Sequence, residues 1–553
     1  MTFRALARTS AVGALLLAVA TIAAAAPSRP SAPVISGDGE AIYRFGRLPS
    51  GLPLRGERAA GQYVEGADAA CVNCHRRSGL GTSEGRSYIP PITGQFLFHA
   101  KAQSAEELDL PYVEGARGNR DPYTDETLAR AIRTGIAADG RTLSVLMPHY
   151  RLDDASMRNL IAYLRQLTVT HVPGVGASAL QFATIITPDV DPAKRDGMLA
   201  VLNNYFDEKN ASSRAVTPHL HSYRNLGTDM YHAARRWQLH VWQLSGPAST
   251  WEAQLQKDLA NEPVFAVISG LGGKNWAPVH HFCEQAALPC LFPNVELPVV
   301  AESDFHSLYF SKGVLLEAAL IAQQLHDRSG QAPIRRLVQV YRPDDIGAAA
   351  AKSLDGMARA LGLPTAHRVL PPGLSSAELS AALKDSKSSD ALVLWLRPND
   401  LPALGAMPPQ VARVWMSGQM GSLEDAPLSP AWRAVAHMTY PYDLPEQRRI
   451  RVDYPMGWFR IRRIAVTDFQ LQADTYLACG LLSETLNHMV DTFQRDYLIE
   501  RIEQMLEHRV LTGYYPRLAL APGQRFASKG GYVVHFAQAT GTKLVADTSW
   551  IVP

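Results

Sequence analysis

The chain has 553 residues, of which 46% are hydrophobic and 19% are charged. This composition excludes a disordered polymer and a small disulfide-stapled scaffold, and the length is enough for roughly two to four domains. Lys and Arg number 54 against 52 Asp and Glu, a formal net charge of +2. This balance, without a run of basic residues, argues against a nucleic-acid partner.

The first 26 residues have the features of an export signal. Arg4 and Arg8 give a positively charged N-terminal region, residues 11–20 form an apolar run, and residues 23–25 fit a small-residue cleavage site. The alternative, a membrane anchor, would need a longer apolar run. We therefore expect residues 1–26 to be a cleaved signal peptide and residues 27–36 a Pro/Ser-rich tether. The mature protein is then expected to be periplasmic, with no integral membrane segment.

The segment from Cys71 to His75 reads C-V-N-C-H, the spacing of covalent haem attachment. Two thiols at this spacing can add to the two vinyl groups of one haem, and the next residue is then positioned as an iron ligand. A thioredoxin-like pair would be expected within a βαβ pattern, which this region lacks. A zinc site would need two more soft ligands nearby. We predict one covalent haem c held by Cys71 and Cys74, with His75 bound to iron.

The predicted second axial ligand is Met147, which lies just before a helix predicted over 154–167. A thioether ligand favours reduced iron and raises the reduction potential. Two alternatives remain open at this point: Met147 as an ordinary core methionine, and His149 as the ligand.

The stretch from Cys71 to about Leu167 resembles a class I c-type cytochrome. The motifs that carry the resemblance are CVNCHRRSGLG, IPPITG at 89–94, LARAIRTGI at 128–136, LMPHY and NLIAYLRQL. The resemblance implies a small all-α domain. It also implies that the carbonyl of Pro90 accepts a hydrogen bond from the second ring nitrogen of His75; a rigid turn is the alternative role for Pro90. Residues 37–66 carry no motif of the family core and are expected to be an extension of this domain, which spans 37–172.

Beyond a Pro/Gly/Ser-bearing linker at 173–180, predicted strands alternate with predicted helices. The strands are expected at 182–186, 239–244, 264–269, 290–292, 337–341, 367–370, 392–396 and 414–416, and the helices at 194–206, 251–259, 277–287, 349–361 and 376–383. This alternation predicts parallel sheets built from βαβ units. Roughly 370 residues are too many for one such domain, so two lobes are expected.

Residues 181–553 resemble the type I periplasmic binding proteins, the substrate receptors of branched-chain amino acid and amide ABC importers. The motifs are VFAVISGLGG followed by a helix and LPCLFPN, then LVQVYRPDDIG, and YYPRLALAPGQRFASKGGYVVHF near the end. The resemblance implies a bilobal α/β fold with a small-molecule ligand in the cleft between the lobes.

Candidate ligand-binding residues lie where the predicted strands end. They are Ser269, Gly270, Gly273, Asn294, Glu296, Tyr341, Asp344, Arg397 and Ser417. The backbone N–H groups of the glycine-rich turn after Ser269 could hold an anion at a helix N-terminus. The alternative for each residue is an ordinary turn or surface position.

The other cysteines are predicted to be structural. Cys283 and Cys290 flank a helix end and the next strand, where an oxidising compartment permits a disulfide; two buried thiols are the alternative. Cys479 lies in an apolar helical stripe and is expected to be inert.

These observations favour a periplasmic mono-haem c-type cytochrome that exchanges electrons with a redox partner protein, fused to a small-molecule-binding or partner-docking module. The alternative is a periplasmic solute receptor or sensor in which the haem reports or modulates ligand binding. Both are electron carriers or binding proteins. A third reading, a haem enzyme, would need an open coordination position at the iron, and the M-P-H-Y motif argues against it. The linker predicts few contacts between the two parts, so residues 37–172 are expected to fold alone.

Overall fold

The computed structural model describes residues 37–58, 61–84, 87–99, 121–167, 172–216, 235–301, 304–326, 334–371, 378–379, 383, 385–450, 454–489, 492–508, 513–521 and 523–553. The predicted signal peptide at 1–26 and the tether at 27–36 lie outside these ranges. So does most of the helix predicted at 376–383.

The N-terminal module, residues 37–167, combines helices with a small antiparallel sheet. Its elements are α1 (Asp38–Phe45), β1 (Arg55–Glu57), β2 (Tyr63–Glu65), α2 (Val72–His75), β3 (Thr82–Glu84), β4 (Ser87–Ile89), α3 (Gly94–Phe98), α4 (Asp125–Thr134), β5 (His149–Tyr150) and α5 (Asp154–Gln166). β1 lies between β2 and β5, and β3 pairs with β4. The predicted all-α domain is thus corrected, because these pairings satisfy backbone groups that no helix covers.

Helix α1 belongs to the core of this module. It packs against α5 so closely that a methyl group at Gly39 would lie 2.2 Å from the carbonyl oxygen of Asn159. Ile42 and Tyr43 are fully buried on its inner face, and the Tyr43 ring lies 5.3 Å from that of Tyr163. The segment 37–66, predicted to be an extension, therefore supplies a core helix.

The predicted linker at 173–180 is ordered rather than loose. Val172 and Val175 pack against the core of the following lobe, and the backbone N–H of Gln181 donates to the carbonyl of Gly174 at 2.8 Å. The first strand of that lobe begins at Ala179, within the predicted linker.

Lobe one is built on a five-stranded parallel sheet of order β10-β9-β8-β6-β7. Its elements are β6 (Ala179–Ile186), α6 (Pro192–Val216), β7 (Arg236–Gln243), α7 (Trp251–Asn261), β8 (Ala266–Ile268), α8 (Ala277–Gln285), β9 (Cys290–Leu291) and β10 (Ser307–Leu308). Every residue of β8 is buried, as expected for a parallel strand with structure on both faces.

Lobe two contains a seven-stranded sheet of order β12-β11-β13-β14-β15-β16-β17, in which the last two pairings are antiparallel. Its elements are α9 (Val314–His326), β11 (Arg336–Tyr341), α10 (Gly347–Ala360), β12 (Thr365–Val369), β13 (Asp390–Trp395), β14 (Arg413–Met416), α11 (Gly418–Gly421), α12 (Pro430–Arg433), β15 (Ala436–Tyr440), α13 (Pro445–Ile450), β16 (Tyr532–Phe536) and β17 (Leu544–Ala546). The predicted bilobal α/β architecture with parallel sheets is what the chain forms.

The chain returns from lobe two to lobe one through three helices, α14 (Tyr454–Arg462), α15 (Phe469–Met489) and α16 (Arg495–His508). α15 packs against both α6 and α16, so α16 is part of lobe one. Within the described ranges, no helix combines the length and the apolar character needed to cross a membrane.

Candidate functional site

The C-x-x-C-H segment forms a single helical turn. Cys71 is the N-cap of α2, and the backbone N–H of His75 donates to the Cys71 carbonyl at 2.9 Å. Both Cys71 and Cys74 are free thiols of intermediate exposure. Burial raises the pKa of Cys71 to about 12, so this thiol is protonated at neutral pH.

The loop after α2 brings Pro90 to His75. Gly81 has a φ of +76°, which favours glycine, and its backbone N–H donates to the His75 carbonyl at 3.1 Å. A methyl group at Gly81 would lie 2.0 Å from the Ile89 carbonyl oxygen. As a result, Nδ1 of His75 lies 3.1 Å from the carbonyl oxygen of Pro90. This is the contact that the resemblance to c-type cytochromes implied.

The donor set of this turn fits a covalently attached haem. Because Nδ1 of His75 is bound to a backbone carbonyl, Nε2 is the nitrogen that could coordinate iron. Burial lowers the pKa of His75 to about 4, so the ring is neutral at pH 7, the form that binds metals. Two thiols and one buried neutral imidazole on one turn are the groups that such an attachment needs.

Met147 and His149 differ in their surroundings. Met147 is half-buried and packs against the same apolar cluster as Cys71 and Val72. His149 is exposed on β5, opposite Glu57. Of the two, Met147 is therefore the one whose side chain packs in the apolar cluster that also includes Cys71.

The residues directly after His75 contact lobe one. Ser78 donates to the Glu500 carboxylate from its backbone N–H at 3.0 Å and from its hydroxyl at 2.6 Å. Arg76 pairs with Glu503 at 2.5 Å. Both carboxylates lie on α16 and are buried. The prediction of few contacts between the two parts is therefore wrong.

A second set of charges extends this interface. Arg77 lies 3.4 Å from Asp496 and stacks over the Phe305 ring at 4.1 Å. Asp496 also contacts His306 at 3.1 Å and Arg44 at 3.6 Å. Although burial opposes charge at Asp496, these partners hold its pKa well below the usual range. The N-terminal module is thus held to lobe one by buried, charge-assisted hydrogen bonds.

A cavity of about 700 Å³ lies between the two lobes. Lobe one contributes residues after β6, β8 and β9 and the start of α15, and lobe two contributes residues after β11, β13 and β14. Its aromatic lining residues are Tyr309, Phe310, Tyr442, Phe469 and Tyr515. The Tyr515 ring lies 5.5 Å from both Phe310 and Tyr442. The position agrees with the cleft that the sequence predicts.

Acidic side chains predominate in the cavity wall. Eight acidic residues line it, Asp189, Asp191, Glu296, Asp345, Glu424, Asp425, Asp468 and Asp474. Three basic residues line it, Lys194, Lys274 and Arg397. The formal charge of the wall is therefore −5.

Some of the predicted ligand-binding residues line the cavity and others do not. Gly273, Asn294, Glu296 and Arg397 line the cavity, whereas Ser269, Gly270, Tyr341, Asp344 and Ser417 are not among its lining residues. Ser269 is fully buried and its hydroxyl donates to Thr475 on α15 at 3.0 Å. Asn294 joins the same network by donating to Ser269 at 3.0 Å.

The predicted backbone anion site is already used by the chain itself. The N–H of Gly273 donates to the Thr187 hydroxyl at 2.9 Å, and the N–H of Lys274 donates to the Asp189 carboxylate at 2.8 Å. Burial opposes charge at Asp189, but the hydroxyl of Thr187 and the Lys274 N–H hold its pKa below the usual range. A carboxylate of this chain thus stands where a ligand anion was expected.

Arg397 connects the ends of strands from both lobes. It follows β13 of lobe two and donates bidentately to Asp345 at 2.8 and 2.9 Å. It also contacts Glu296, which follows β9 of lobe one, at 2.8 Å. Burial opposes the charge, yet the two carboxylates raise the pKa of Arg397 above its usual value. Arg397 is thus fully paired within the chain.

Several cavity residues were not predicted from the sequence. Tyr442, Phe469, Asp474 and Tyr515 come from segments after β15, from α15 and from the loop after α16. The hydroxyl of Tyr515 donates to Asp474 at 3.0 Å. A signal was present, since TYPYDLP and TGYYPR are tyrosine-rich loops, but loop composition does not show which loops meet.

The cysteines of lobe one form a disulfide between Cys283 and Cys290, which joins the end of α8 to β9. Cys479 is a buried free thiol on α15. Helix α8 also carries His280 and Glu284, which together with Asp304 form the one group among the described residues with metal-ligand spacing. These side chains are bound to protein partners: His280 to Tyr309, and Glu284 to backbone N–H groups of 305–307.

No protein-family model matches the chain, and no curated protein matches it in sequence. Solved structures similar to it include a fatty acid ABC transporter substrate-binding protein from Thermomonospora curvata, at 14% identity over 69% of this chain and 94% of that one, with a TM-score of 0.48. A possible leucine/isoleucine/valine-binding protein from Rhodopirellula baltica is similar at 15% identity over 67% and 97%, with a TM-score of 0.46. A branched chain amino acid ABC transporter from Thermus thermophilus with bound valine is similar at 10% identity over 68% and 97%, with a TM-score of 0.46.

Proposed function

We propose that the protein is a periplasmic receptor for a small molecule, which also carries one covalent haem c on its N-terminal module. The observation that carries the proposal is the cavity of about 700 Å³ between the lobes. A cavity of this volume suits a metabolite-sized ligand, and its mixture of aromatic and polar walls is typical of specific binding sites. Closure of two lobes over such a ligand would bury most of its surface.

The attachment of haem rests on the turn from Cys71 to His75. Cys71 and Cys74 would hold the group covalently, and Nε2 of His75 and the sulfur of Met147 would bind its iron. When bound, such a group supplies one-electron redox chemistry. The carbonyl of Pro90 fixes the orientation of the His75 ring through Nδ1.

The receptor function is tested by a thermal-shift screen of the full mature chain with a mixed library of small metabolites. A ligand that binds only the folded state stabilises it by RT ln(1 + [L]/Kd), so the melting temperature rises with the logarithm of the ligand concentration above Kd. The variant Ser311→Trp places a large side chain at the cavity wall and should abolish the shift. Ser249→Trp is the matched control, because Ser249 is exposed and does not line the cavity. A library that gives no shift would refute the receptor.

Electron transfer is the second candidate, favoured by the 3.1 Å contact between His75 and Pro90. A carrier should be reduced and reoxidised reversibly, with the same visible spectrum in the Ser311→Trp variant as in the parent chain. The two candidates are separated by the screen: a carrier alone gives redox cycling without any ligand-dependent shift.

A further inference from the structure

We propose that the cavity between the lobes selects an organic ammonium compound, such as an alkylamine or a polyamine, rather than an anion or a zwitterion. This inference rests on the proposed receptor function and names the class of its ligand. The juxtaposition that carries it is an acidic wall, an aromatic face and a glycine-rich turn whose backbone N–H groups are already occupied, all around one cavity.

The first observation is the charge of the wall. Eight carboxylates face three basic side chains, and the basic groups are paired within the chain. Arg397 binds Asp345 and Glu296, Lys194 contacts Asp468 at 3.0 Å, and Lys274 lies 3.6 Å from Asp344. A ligand carboxylate would therefore meet an excess of negative charge, whereas a ligand cation would be attracted.

The second observation is that the backbone N–H groups that could have bound an anion already have acceptors within the chain. The N–H groups of Gly273 and Lys274 already donate to Thr187 and Asp189. An anionic group would have to displace a carboxylate that is held by short hydrogen bonds. The glycine-rich turn thus offers no site for the acid end of an amino acid.

The aromatic wall suits the same ligand. The rings of Phe310, Tyr515 and Tyr442 follow one another at 5.5 Å spacing along the cavity. Aromatic faces attract ammonium groups and also cover the alkyl part of an amine. A bare metal ion is disfavoured, because the one group of side chains with metal-ligand spacing in the described ranges, at His280, lies outside the cavity.

The test uses matched probes of opposite charge on the full mature chain, by titration calorimetry at low salt. Putrescine and butylammonium are compared with succinate and butyrate, which have the same chain lengths, and with L-leucine as a zwitterion. The double variant Glu424→Gln/Asp425→Asn removes two lining carboxylates and should weaken putrescine binding about tenfold. The control Asp385→Asn/Glu446→Gln removes two exposed carboxylates elsewhere in lobe two and should leave Kd unchanged.

The outcomes separate this inference from the proposed function. Binding of putrescine or butylammonium, weakened in the cavity variant alone, supports the inference. Tighter binding of L-leucine, succinate or butyrate overturns the choice of ligand class but leaves the receptor standing. If neither amine binds, or if both double variants weaken binding equally, the inference also fails. The library screen, which contains uncharged compounds, then decides whether the chain is a receptor at all.

Discussion

Ser78, three residues after the histidine of the C-x-x-C-H turn, donates two hydrogen bonds to the buried carboxylate of Glu500 on a helix of lobe one. The two residues are 422 positions apart in sequence. The C-x-x-C-H turn is thus joined to lobe one by a direct polar contact.

Removing the Ser78 hydroxyl should destabilise this interface. In Ser78→Ala the buried Glu500 carboxylate keeps the backbone N–H donor but loses its shortest partner. We expect the free energy of unfolding to fall by roughly 1–3 kcal/mol, the cost of an incompletely satisfied buried carboxylate. Urea unfolding followed by tryptophan fluorescence measures it. Ser249→Ala, on an exposed turn, should change stability by less than about 0.5 kcal/mol; an equal loss in both variants would contradict the role of Ser78.

Glu500 should also make stability depend on pH. Burial, opposed in part by Arg76 and Ser78, raises the pKa of Glu500 to about 7. The unfolded chain ionises this group near its ordinary value of 4.5. The contribution that favours folding is therefore fully present below pH 4.5 and is lost as the pH rises towards 7.

Substituting Glu500→Gln should flatten that dependence. In the parent chain, titration of Glu500 should lower the free energy of unfolding by about 3 kcal/mol between pH 4.5 and 7. The variant should lack this decrease. Unfolding free energies across this range measure it, with Glu507→Gln as the control because Glu507 is exposed on the same helix. A slope unchanged in Glu500→Gln would show that Glu500 does not titrate in this range.

How much of the fold and of the candidate site could be predicted from the sequence depends on how far apart in sequence the interacting residues are. Strands such as β11 and β13 were predicted within two residues, because a buried parallel strand is a local apolar run. The contact of His75 with Pro90 spans only 15 positions and follows from a local motif. Helix α1 was missed because it is only eight residues long and its burial depends on α5.

The interface and the cavity wall could not be predicted for a different reason. The charges of Arg76 and Glu503 are unremarkable in sequence, and only the fold brings them together across 427 positions. Likewise, Asp189 was not expected to occupy the turn at Gly273, since nothing local indicates that a side chain after β6 reaches a loop after β8. As a result, the backbone N–H groups that could have held an anion are occupied by the chain itself.

Covalent attachment predicts a simple outcome for the two thiols. In Cys71→Ala/Cys74→Ala the haem has no covalent bond to the chain and should be removed completely by acid-acetone extraction. The parent chain should keep its haem under the same treatment. The control is Cys479→Ala, which removes a buried thiol elsewhere. Haem that resisted extraction from the double variant would refute the attachment.

Met147 and His149 can be separated by matched substitutions. Met147→Leu keeps the size of the side chain but removes the thioether, so the far-red absorption band of methionine-ligated ferric haem should vanish. The reduction potential should fall by on the order of 0.1 V. His149→Gln should change neither property. A parent chain that lacks this band, together with a potential that changes in His149→Gln and not in Met147→Leu, would assign the position to His149.

The disulfide of lobe one should contribute to stability. Cys283 and Cys290 are separated by seven positions, and a loop of this length predicts a loss of about 2.5 kcal/mol on removal of the cross-link. Denaturant unfolding of Cys283→Ser/Cys290→Ser measures it. Reductant should lower the stability of the parent chain by a similar amount and leave the double variant unaffected. Stability insensitive to reductant in both would mean that the two thiols are not joined in solution.

The central claim is that one chain carries a covalent haem on a module docked to a ligand-binding pair of lobes. Native mass spectrometry of the full protein purified from the periplasm tests it most directly. We predict two mass increments over the mature chain: one of a haem that persists after denaturation, and one of a small molecule that is lost on denaturation and is absent from Ser311→Trp. A spectrum without the small increment, or with a haem that dissociates on denaturation of the parent chain, would contradict the account.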